Sequence, residues 1–161
     1  MAKILFLMCG PAGSGKSTWI QEYLARTNQN CIVVSRDEIR FEIVQEDEEY
    51  FSKEDEVFAR FAREIDEALH NSNYEVVFAD ATHLTEKSRN KTLNAINLDC
   101  VDIIPVSIYP SLARVLEQND RRSGRRHVPN HIVTNMWQRY EIPNHNEKYT
   151  YTTIIKEGED V

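Results

Sequence analysis

Short apolar runs alternate with longer stretches of mixed character along this chain of 161 residues. Residues 4–9, 31–34, 75–79 and 101–108 are mostly apolar and rich in valine and isoleucine. Runs of this length and composition are typical of strands buried on both faces of a sheet. Residues 149–155 are a last β-rich piece, which predicts a fifth strand.

The stretches between these runs carry apolar residues at helical spacing. Helices are predicted at about 15–26, 52–70, 85–97 and 110–120, and in a segment containing Ile132, Met136 and Trp137. The strongest pattern lies in 52–70, whose apolar residues fall along one side. Ser52 with Asp55 resembles a capping signal for that helix, and Thr85 is expected to cap the next one.

Strands that alternate with helices predict an α/β fold, with a mostly parallel sheet of about five strands and helices on both faces. The length is that of one domain, so residues 1–161 are expected to form a single folded unit. In open parallel sheets, ligands bind beyond the carboxyl ends of the strands. The residues that follow each apolar run are therefore the first candidates for chemistry.

The segment after the first run reads Gly-Pro-Ala-Gly-Ser-Gly-Lys-Ser-Thr at residues 10–18. Its glycines allow backbone angles that a Cβ would block, so that successive N–H groups turn inward around phosphate oxygens. The positive end of the following helix points at the same place. A strand, this loop and a helix in that order are the context that a phosphate-binding loop requires. The sequence therefore predicts a site for a nucleoside triphosphate, although a glycine-rich turn with a surface lysine is the alternative.

The residues of this loop that are predicted to bind ATP are Gly10, Pro11, Ala12, Gly13, Ser14, Gly15, Lys16, Ser17 and Thr18. Lys16 would reach the β- and γ-phosphates and act in catalysis, and the Ser17 hydroxyl would ligate Mg²⁺. Asp80 ends the third apolar run and is predicted to hold Mg²⁺ directly or through water. The alternative for Asp80 is that it only begins a turn. Thr82 is assigned to the substrate side, and His83 is left unassigned.

The second run ends in Ser-Arg-Asp-Glu-Ile-Arg at residues 35–40. Asp37 is predicted to accept the proton of an acceptor hydroxyl that lies in line with the γ-phosphate. Arg40, one turn further if a helix begins here, suits a negatively charged acceptor, and Arg36 is assigned to the same substrate side. The alternative makes Asp37 a helix cap, with both arginines as solvated partners of nearby glutamates.

Residues 121–126, Arg-Arg-Ser-Gly-Arg-Arg, form the densest cationic patch in an otherwise acidic chain. The patch lies between two predicted helices, so residues 119–129 are expected to form a mobile lid over the nucleotide phosphates. Arg122 is the first choice for the catalytic arginine and Arg126 the second, because a guanidinium fork suits a phosphoryl group. The alternatives are a solvated basic loop or a contact for a polyanion backbone.

The formal net charge of −7 argues against nonspecific coating of nucleic acid by the whole surface. Cys9, Cys31 and Cys100 have no paired spacing, so neither a disulfide framework nor a zinc site is expected. The first apolar run is too short to span a membrane and leads directly into the glycine loop. We therefore expect a cytoplasmic protein without a membrane partner, and the oligomeric state is left open.

With these residues established, the chain resembles the kinase domain of bacteriophage-type 5′-polynucleotide kinases, within the wider group of P-loop kinases. The resemblance rests on residues 10–19, 35–40, 80–83 and 119–122, with Val128-Pro129, Pro143 and Glu147 downstream. It implies a central parallel sheet of the adenylate-kinase type. It also implies that Asp37 activates a 5′-hydroxyl, that Arg40 contacts a phosphate of the acceptor strand and that a lid arginine near Arg122 assists transfer.

Three functions follow from these expectations. The first is transfer of the γ-phosphate of ATP to a 5′-hydroxyl end of DNA or RNA. The second is a kinase for a small metabolite or nucleotide sugar, similar to gluconate kinases or zeta toxins, and the net acidity favours it modestly. The third is a nucleotide-dependent switch without an acceptor, for which Asp37 would have no use beside Arg40.

Overall fold

The computed structural model describes residues 2–71, 73–144, 149 and 154–156. Its elements in chain order are β1 (Lys3–Cys9), α1 (Lys16–Arg26), β2 (Cys31–Ser35), α2 (Arg36–Ile43), α3 (Glu54–Leu69), β3 (Val76–Asp80), α4 (Glu86–Asn94), β4 (Val101–Ile108), α5 (Leu112–Asp120), a 3₁₀ turn (Gly124–Arg126), α6 (Asn130–Arg139) and β5 (Ile154–Lys156). The predicted α/β class is confirmed.

The strands form one five-stranded sheet in the order β2-β3-β1-β4-β5, and every neighbouring pair is parallel. The chain leaves β1 toward the β2 edge, whereas it leaves β3 across β1 toward β4. The connections after these two adjacent strands thus run in opposite directions. Such a switch point opens a crevice at the carboxyl end of the sheet, which is where ligands bind in this architecture.

Each face of the sheet is covered by helices, because the strand residues alternate between two apolar cores. On one face, β1 residues Phe6 and Met8 pack with Ile20 of α1. On the other face, the alternate β1 residues Leu5 and Leu7 pack with residues of α3 and α4. These two layers fix the first helix and the second strand relative to β1, and hence the loops that follow them.

The structure adds a helix that the sequence analysis left open. Residues Arg36–Ile43 form α2 directly after β2. The Ser35 side chain caps this helix by accepting a hydrogen bond from the Glu38 N–H at 3.3 Å. Asp37 is therefore not the cap, and its carboxylate is left for other partners.

Two capping expectations had different outcomes. Thr85 caps α4 as predicted, and it exchanges reciprocal hydrogen bonds with Ser88 in a capping box. The expectation that Ser52 caps α3 is wrong, because that helix begins at Glu54 with Lys53 as its N-cap and no side-chain cap. Ser52 instead lies in a turn in which its N–H donates to the carbonyl of Glu49 at 3.1 Å.

The predicted fifth strand is present as Ile154–Lys156, which pairs with β4. Residues 150–153 of that prediction, and Glu147 of the family pattern, lie outside the described residues. No helix in the described part of the chain is both long and apolar enough to cross a membrane.

Candidate active site

The loop of residues 10–15 curls between β1 and α1. Gly10 has a φ of 147°, and a Cβ placed on it would lie 2.3 Å from the carbonyl oxygen of Ile108. A side chain at this position would therefore push the loop away from β4. Helix α1 begins at Lys16 with Gly15 as its N-cap. Since Gly15 has no side chain to cap the helix, the first N–H groups stay open to an anion.

A buried hydroxyl in this loop has no protein partner. Ser14 is only 4% exposed, and its Oγ makes no hydrogen bond to any described residue. Buried polar atoms are nearly always paired, so this hydroxyl marks a position for an oxygen or N–H of a ligand. The orphaned hydroxyl, the glycine without room for a Cβ and the uncapped helix all fit a bound triphosphate.

Lys16 lies inside the same loop. Its Nζ donates hydrogen bonds to the carbonyl oxygens of Gly10 at 2.8 Å and Pro11 at 3.0 Å. Burial lowers the pKa of Lys16 to about 8, although the nearby carboxylates of Asp80 and Asp37 raise it. The ammonium is thus held beside the loop by two neutral carbonyl oxygens. A phosphate oxygen carries a charge, so it would be a stronger acceptor and would take their place.

The predicted magnesium residues lie at the ends of two neighbouring elements. Asp80 is the last residue of β3, and Ser17 is in the first turn of α1. Burial raises the pKa of the Asp80 carboxyl, and the charge of Lys16 opposes that shift. A carboxylate and a hydroxyl are ligand types that suit Mg²⁺, which would neutralise charge on the phosphates. Both side chains line one cavity, so the residues fit the ion.

That cavity has a volume of about 590 Å³ and connects the loop with the ends of β2 and β3 and with the arginine-rich segment. Among the predicted site residues, it is lined by Ala12, Lys16, Ser17, Arg36, Asp37, Arg40, Asp80, Thr82, Arg122 and Arg126. The three glycines of the loop, Pro11, Ser14 and Thr18 do not line it, and Thr18 is exposed on α1. The fold thus brings most of the predicted side chains to one space, while their individual roles stay predictions.

Asp37 lines this cavity from the first turn of α2. Its side chain is 54% exposed, and Oδ1 accepts hydrogen bonds from Arg40 Nη1 at 2.7 Å and from the Tyr50 hydroxyl at 3.4 Å. The second oxygen, Oδ2, makes no hydrogen bond to the described residues. One oxygen of Asp37 is therefore held in place, and the other is available to an incoming hydroxyl.

Arg40 is the most constrained cation of the site, at 5% exposure. Its Nε and Nη2 donate to the two carboxylate oxygens of Glu54 at 2.7 and 3.0 Å. The guanidinium also lies 4.9 Å from the centre of the Tyr50 ring and 5.4 Å from that of Phe51. Although burial disfavours its charge, the hydrogen bond and charge of Glu54 raise the pKa of Arg40. The bidentate pair fixes the direction in which Arg40 meets Asp37.

Arg36 joins the same network through an Nη2 hydrogen bond of 3.0 Å to Glu54. The alternative from the sequence, in which both arginines pair with a glutamate, is thus met in part. The partner comes from α3, however, and the Arg40 side of the pair is buried, while the Glu54 side chain is 31% exposed. The predicted role of Arg36 and Arg40 as acceptor ligands stays a prediction.

The arginine-rich segment after α5 extends toward α2. Arg122 lines the cavity and acts electrostatically on Lys16 and Asp80. Arg126, the second choice from the sequence, is paired with Glu38 of α2. Arg125 donates to the carbonyl oxygens of Phe41 at 3.1 Å and Val44 at 2.7 Å, at the last turn of the same helix.

The segment that follows β3 hydrogen-bonds to the glycine loop and to the end of β1. The carbonyl oxygen of Thr82 accepts a hydrogen bond from the Gly10 N–H at 2.9 Å. His83 is buried with a φ of 41°, its Nδ1 lies 2.8 Å from the Met8 carbonyl oxygen, and burial lowers its pKa to about 4. His83 also lines the cavity, but its neutral ring is paired within the protein, with Thr92 as the partner of Nε2.

Three residues of this arrangement were not found from the sequence. Glu54 was one of many acidic residues between 46 and 56, and nothing in that stretch marks it as the partner of two arginines. Tyr50 carried no periodic signal. Arg125 was visible only as part of the arginine run, where each of its neighbours was an equal candidate.

A glycine loop between the first strand and first helix, at the switch point of a parallel sheet, is the arrangement of a P-loop nucleotide-binding fold, and the whole domain has the fold of a P-loop kinase. The chain belongs to a family of P-loop proteins, described as AAA domain (AAA_33), which matches residues 5–143. No curated protein matches the chain at a significant level.

Several solved structures are similar in fold. A chain of the Pnkp1/Rnl/Hen1 RNA repair complex superposes with a TM-score of 0.70 at 21% identity, covering 86% of this chain but 44% of that one. A fungal RNA kinase gives a TM-score of 0.62 at 14% identity, with 99% of this chain and 77% of that one covered. A gluconokinase from Sinorhizobium meliloti 1021 gives 0.58 at 16% identity, with 99% and 84% covered. This chain therefore spans less than half of the repair-complex chain, and at such identities the likeness shows the fold alone.

Proposed function

We propose that the protein transfers the γ-phosphate of ATP to a 5′-hydroxyl end of a polynucleotide, DNA or RNA. The observation that carries the proposal is that Lys16 and Asp37 line the same cavity although they follow different strands. A phosphate-binding loop alone would serve any nucleotide-binding protein. A carboxylate with one unpaired oxygen beside it is what a transferase with an alcohol acceptor needs.

In the proposed reaction, the acceptor oxygen attacks the γ-phosphorus and the bond from that phosphorus to the β,γ-bridging oxygen breaks, so that ADP leaves. Asp37 Oδ2 aligns the hydroxyl and takes its proton as the new bond forms. Lys16 and Arg122 stabilise the charge on the transferring group and on the leaving oxygen. Most of the rate enhancement comes from this positioning and from electrostatics, because the protein forms no covalent bond.

The acceptor side of the cavity favours a ligand with a base. Phe51 is 47% exposed there, and with Tyr50 it offers aromatic surface next to the guanidinium of Arg40. Nucleobases stack on such surfaces with little dependence on sequence. The names of two structures with the same fold, an RNA repair complex and an RNA kinase, support the same class of acceptor.

A small sugar or sugar acid is the second candidate acceptor. The observations in its favour are the similar fold of a gluconokinase and the formal net charge of −7, which is unfavourable for binding a polyanion. The same Asp37 and Lys16 would serve that reaction. The two candidates therefore differ in the acceptor and not in the chemistry.

An acceptor panel tests the proposal directly. Purified protein is incubated with Mg²⁺ and ATP labelled in the γ-phosphate, together with 5′-hydroxyl RNA, 5′-hydroxyl DNA, the matching 5′-phosphorylated strands, gluconate and a set of sugars. We expect label on the 5′-hydroxyl strands and none on the blocked strands. Label on gluconate or another sugar alone would replace the proposal with the second candidate. Label released only as inorganic phosphate would favour a switch.

Salt dependence provides an independent test of the acceptor class. The KM for a single-stranded polynucleotide should rise steeply between 50 and 200 mM salt, by about 20-fold if some three phosphates are contacted. The KM for a neutral sugar should stay nearly constant over that range. A KM for the polynucleotide that does not change with salt concentration would contradict binding through its phosphates.

The proposal also keeps the expectation of a cytoplasmic enzyme. Cys9, Cys31 and Cys100 form no disulfide with one another, which fits a reducing compartment.

A further inference from the structure

The arginine-rich segment is pinned at its base. Asn119, at the end of α5, is fully buried, and its Oδ1 accepts a hydrogen bond from the Val128 N–H at 3.1 Å while its Nδ2 donates to the Val128 carbonyl oxygen. These two hydrogen bonds close residues 119–128 into a short loop with fixed ends. Within the loop, Gly124–Arg126 form a 3₁₀ turn and Arg122 Nη1 donates to the carbonyl oxygen of Arg126 at 3.4 Å, so a displacement of one member is passed to the others.

Arg125 fastens this loop to α2. Its guanidinium bridges the carbonyl oxygens of Phe41 and Val44 and lies 4.7 Å from the centre of the Phe41 ring. The last carbonyls of a helix lack partners within the helix, and a cation there also meets the negative end of the helix dipole. The contact is therefore a two-point attachment and not an isolated surface ion pair.

The attachment joins the two halves of the cavity. Phe41 follows Asp37 by four residues, which is about one helical turn, or some 6 Å along the axis. Arg122, on the donor side, precedes Arg125 by only three positions. The guanidinium that acts on the donor and the carboxylate that faces the acceptor are thus connected through this attachment, beside which Arg126 adds a surface ion pair with Glu38.

We propose that Arg125 is a positioning residue, which ties the lid to α2 so that Arg122 and Asp37 are brought to their working positions together. Arg125 touches neither reactant in this proposal. The inference rests on the proposed kinase activity, but not on whether the acceptor is a polynucleotide or a sugar.

The chain offers a matched control for this residue. Arg121 belongs to the same segment and carries the same charge, but its side chain is 73% exposed and pairs with Glu117 one turn back on α5. Arg121→Ala therefore changes the net charge and the arginine count as Arg125→Ala does, and it leaves the contact with α2 intact. Arg125→Lys keeps the charge but replaces the fork with a single ammonium.

The first measurement is steady-state kinetics with the acceptor that the panel identifies. Arg125→Ala should lower kcat by between about 10- and 100-fold, since misplacement of reacting groups by 1 Å has effects of that size. The KM for ATP should stay within about threefold of the wild-type value, because the loop that holds the phosphates is unchanged. The kcat of Arg125→Lys should lie between those of Arg125→Ala and the wild type, and the kcat of Arg121→Ala should equal that of the wild type. Equal kcat values for Arg125→Ala and Arg121→Ala would overturn the proposal.

The second measurement does not need transfer to occur. Hydrogen exchange of the α2 amides is followed by mass spectrometry, with and without the imido analogue of ATP and Mg²⁺. The analogue should slow exchange in α2 of the wild type and of Arg121→Ala, but not of Arg125→Ala. Protection of α2 in Arg125→Ala, or none in the wild type, would contradict the proposed tie.

The two measurements also separate this inference from the proposed function. A wild type that labels no acceptor but shows nucleotide-dependent protection of α2 would refute the function and keep the tie. Thermal unfolding of each variant identifies a loss of folding. If Arg125→Ala does not fold, the test rests on Arg125→Lys. A lowered kcat of Arg125→Lys would support the proposed tie. A kcat equal to that of Arg121→Ala, together with unchanged protection of α2, would overturn it.

Discussion

The donor side and the acceptor side of the cavity are built in different ways. On the donor side, Lys16 lies six residues from Gly10, and its hydrogen bonds go to backbone carbonyls of its own loop. On the acceptor side, Asp37 is held by Arg40, which is held in turn by Glu54 from another helix. The first arrangement is made by one continuous stretch of chain, and the second by side chains that meet only in the folded protein.

Because of this difference, substitutions on the two sides should differ in how strongly they affect catalysis and stability. The Lys16 ammonium hydrogen-bonds to carbonyl oxygens of its own loop, so its loss should affect transfer more than folding. A residue of the acceptor network compensates buried charges, so its loss should affect folding as well as transfer. The predictions that follow compare the two sides by measuring rate and stability on the same variants.

The largest effect is expected from Lys16→Ala. Transfer should fall by about 1,000-fold or more, because the variant lacks the ammonium that stabilises the transferring group. Thermal unfolding should occur at the wild-type temperature or slightly above it, since the variant no longer buries that ammonium. Kinetic assays and calorimetry on the same preparation test both statements. Near-normal turnover would refute the role of the loop. A large loss of stability would show that the donor side and the acceptor side do not differ in their effect on folding.

Asp37→Asn should reduce turnover by about 100-fold, as the removal of a general base usually does. The amide is nearly isosteric and still accepts from Arg40, so binding of the ATP analogue should be unchanged. Calorimetric titration with the analogue provides that control. Unchanged turnover would mean that Asp37 serves only to neutralise Arg40.

Glu54→Gln tests the acceptor network itself. The substitution removes the charged partner of Nε and Nη2 of buried Arg40, while Asp37 still pairs with Nη1, so the free energy of unfolding should fall by about 1–3 kcal/mol. Urea denaturation measures the change, with Glu117→Gln as the control, because Glu117 pairs with Arg121 at the surface. Equal stability of the two variants would show that the network does not hold α2.

The smallest effect concerns pH. Because burial lowers the pKa of Lys16 to about 8, the lysine of the free enzyme loses its proton as the pH rises through that value. The kcat/KM for ATP should therefore decline above about pH 8, since this ratio reports on the free enzyme. Asp37→Asn should start from a lower rate and decline at a somewhat lower pH, because the Asp37 carboxylate raises the pKa of Lys16. A profile that stays level to pH 10 would mean that Lys16 keeps an ordinary pKa.

Much of the fold and of the donor side was predicted from the sequence. The four apolar runs became strands, and the glycine loop follows β1 as expected. The capping expectation failed at Ser52, where a turn intervenes before α3, because one hydroxyl and one carboxylate three residues apart are a weak local signal. Helix α2 was left open as an element because its eight residues are mostly charged and offer only Ile39, Phe41 and Ile43 as apolar positions.

The sequence by itself determined the phosphate loop, since its shape depends on glycines and a lysine that are neighbours in the chain. Only the tertiary structure decided that Glu54 holds Arg40 and that Arg125 attaches to the end of α2. Those partners are 14 and more than 80 residues apart. Charged side chains at such separations carry no periodic signal, and the partner of each is selected by the packing of α2 and α3 on the sheet.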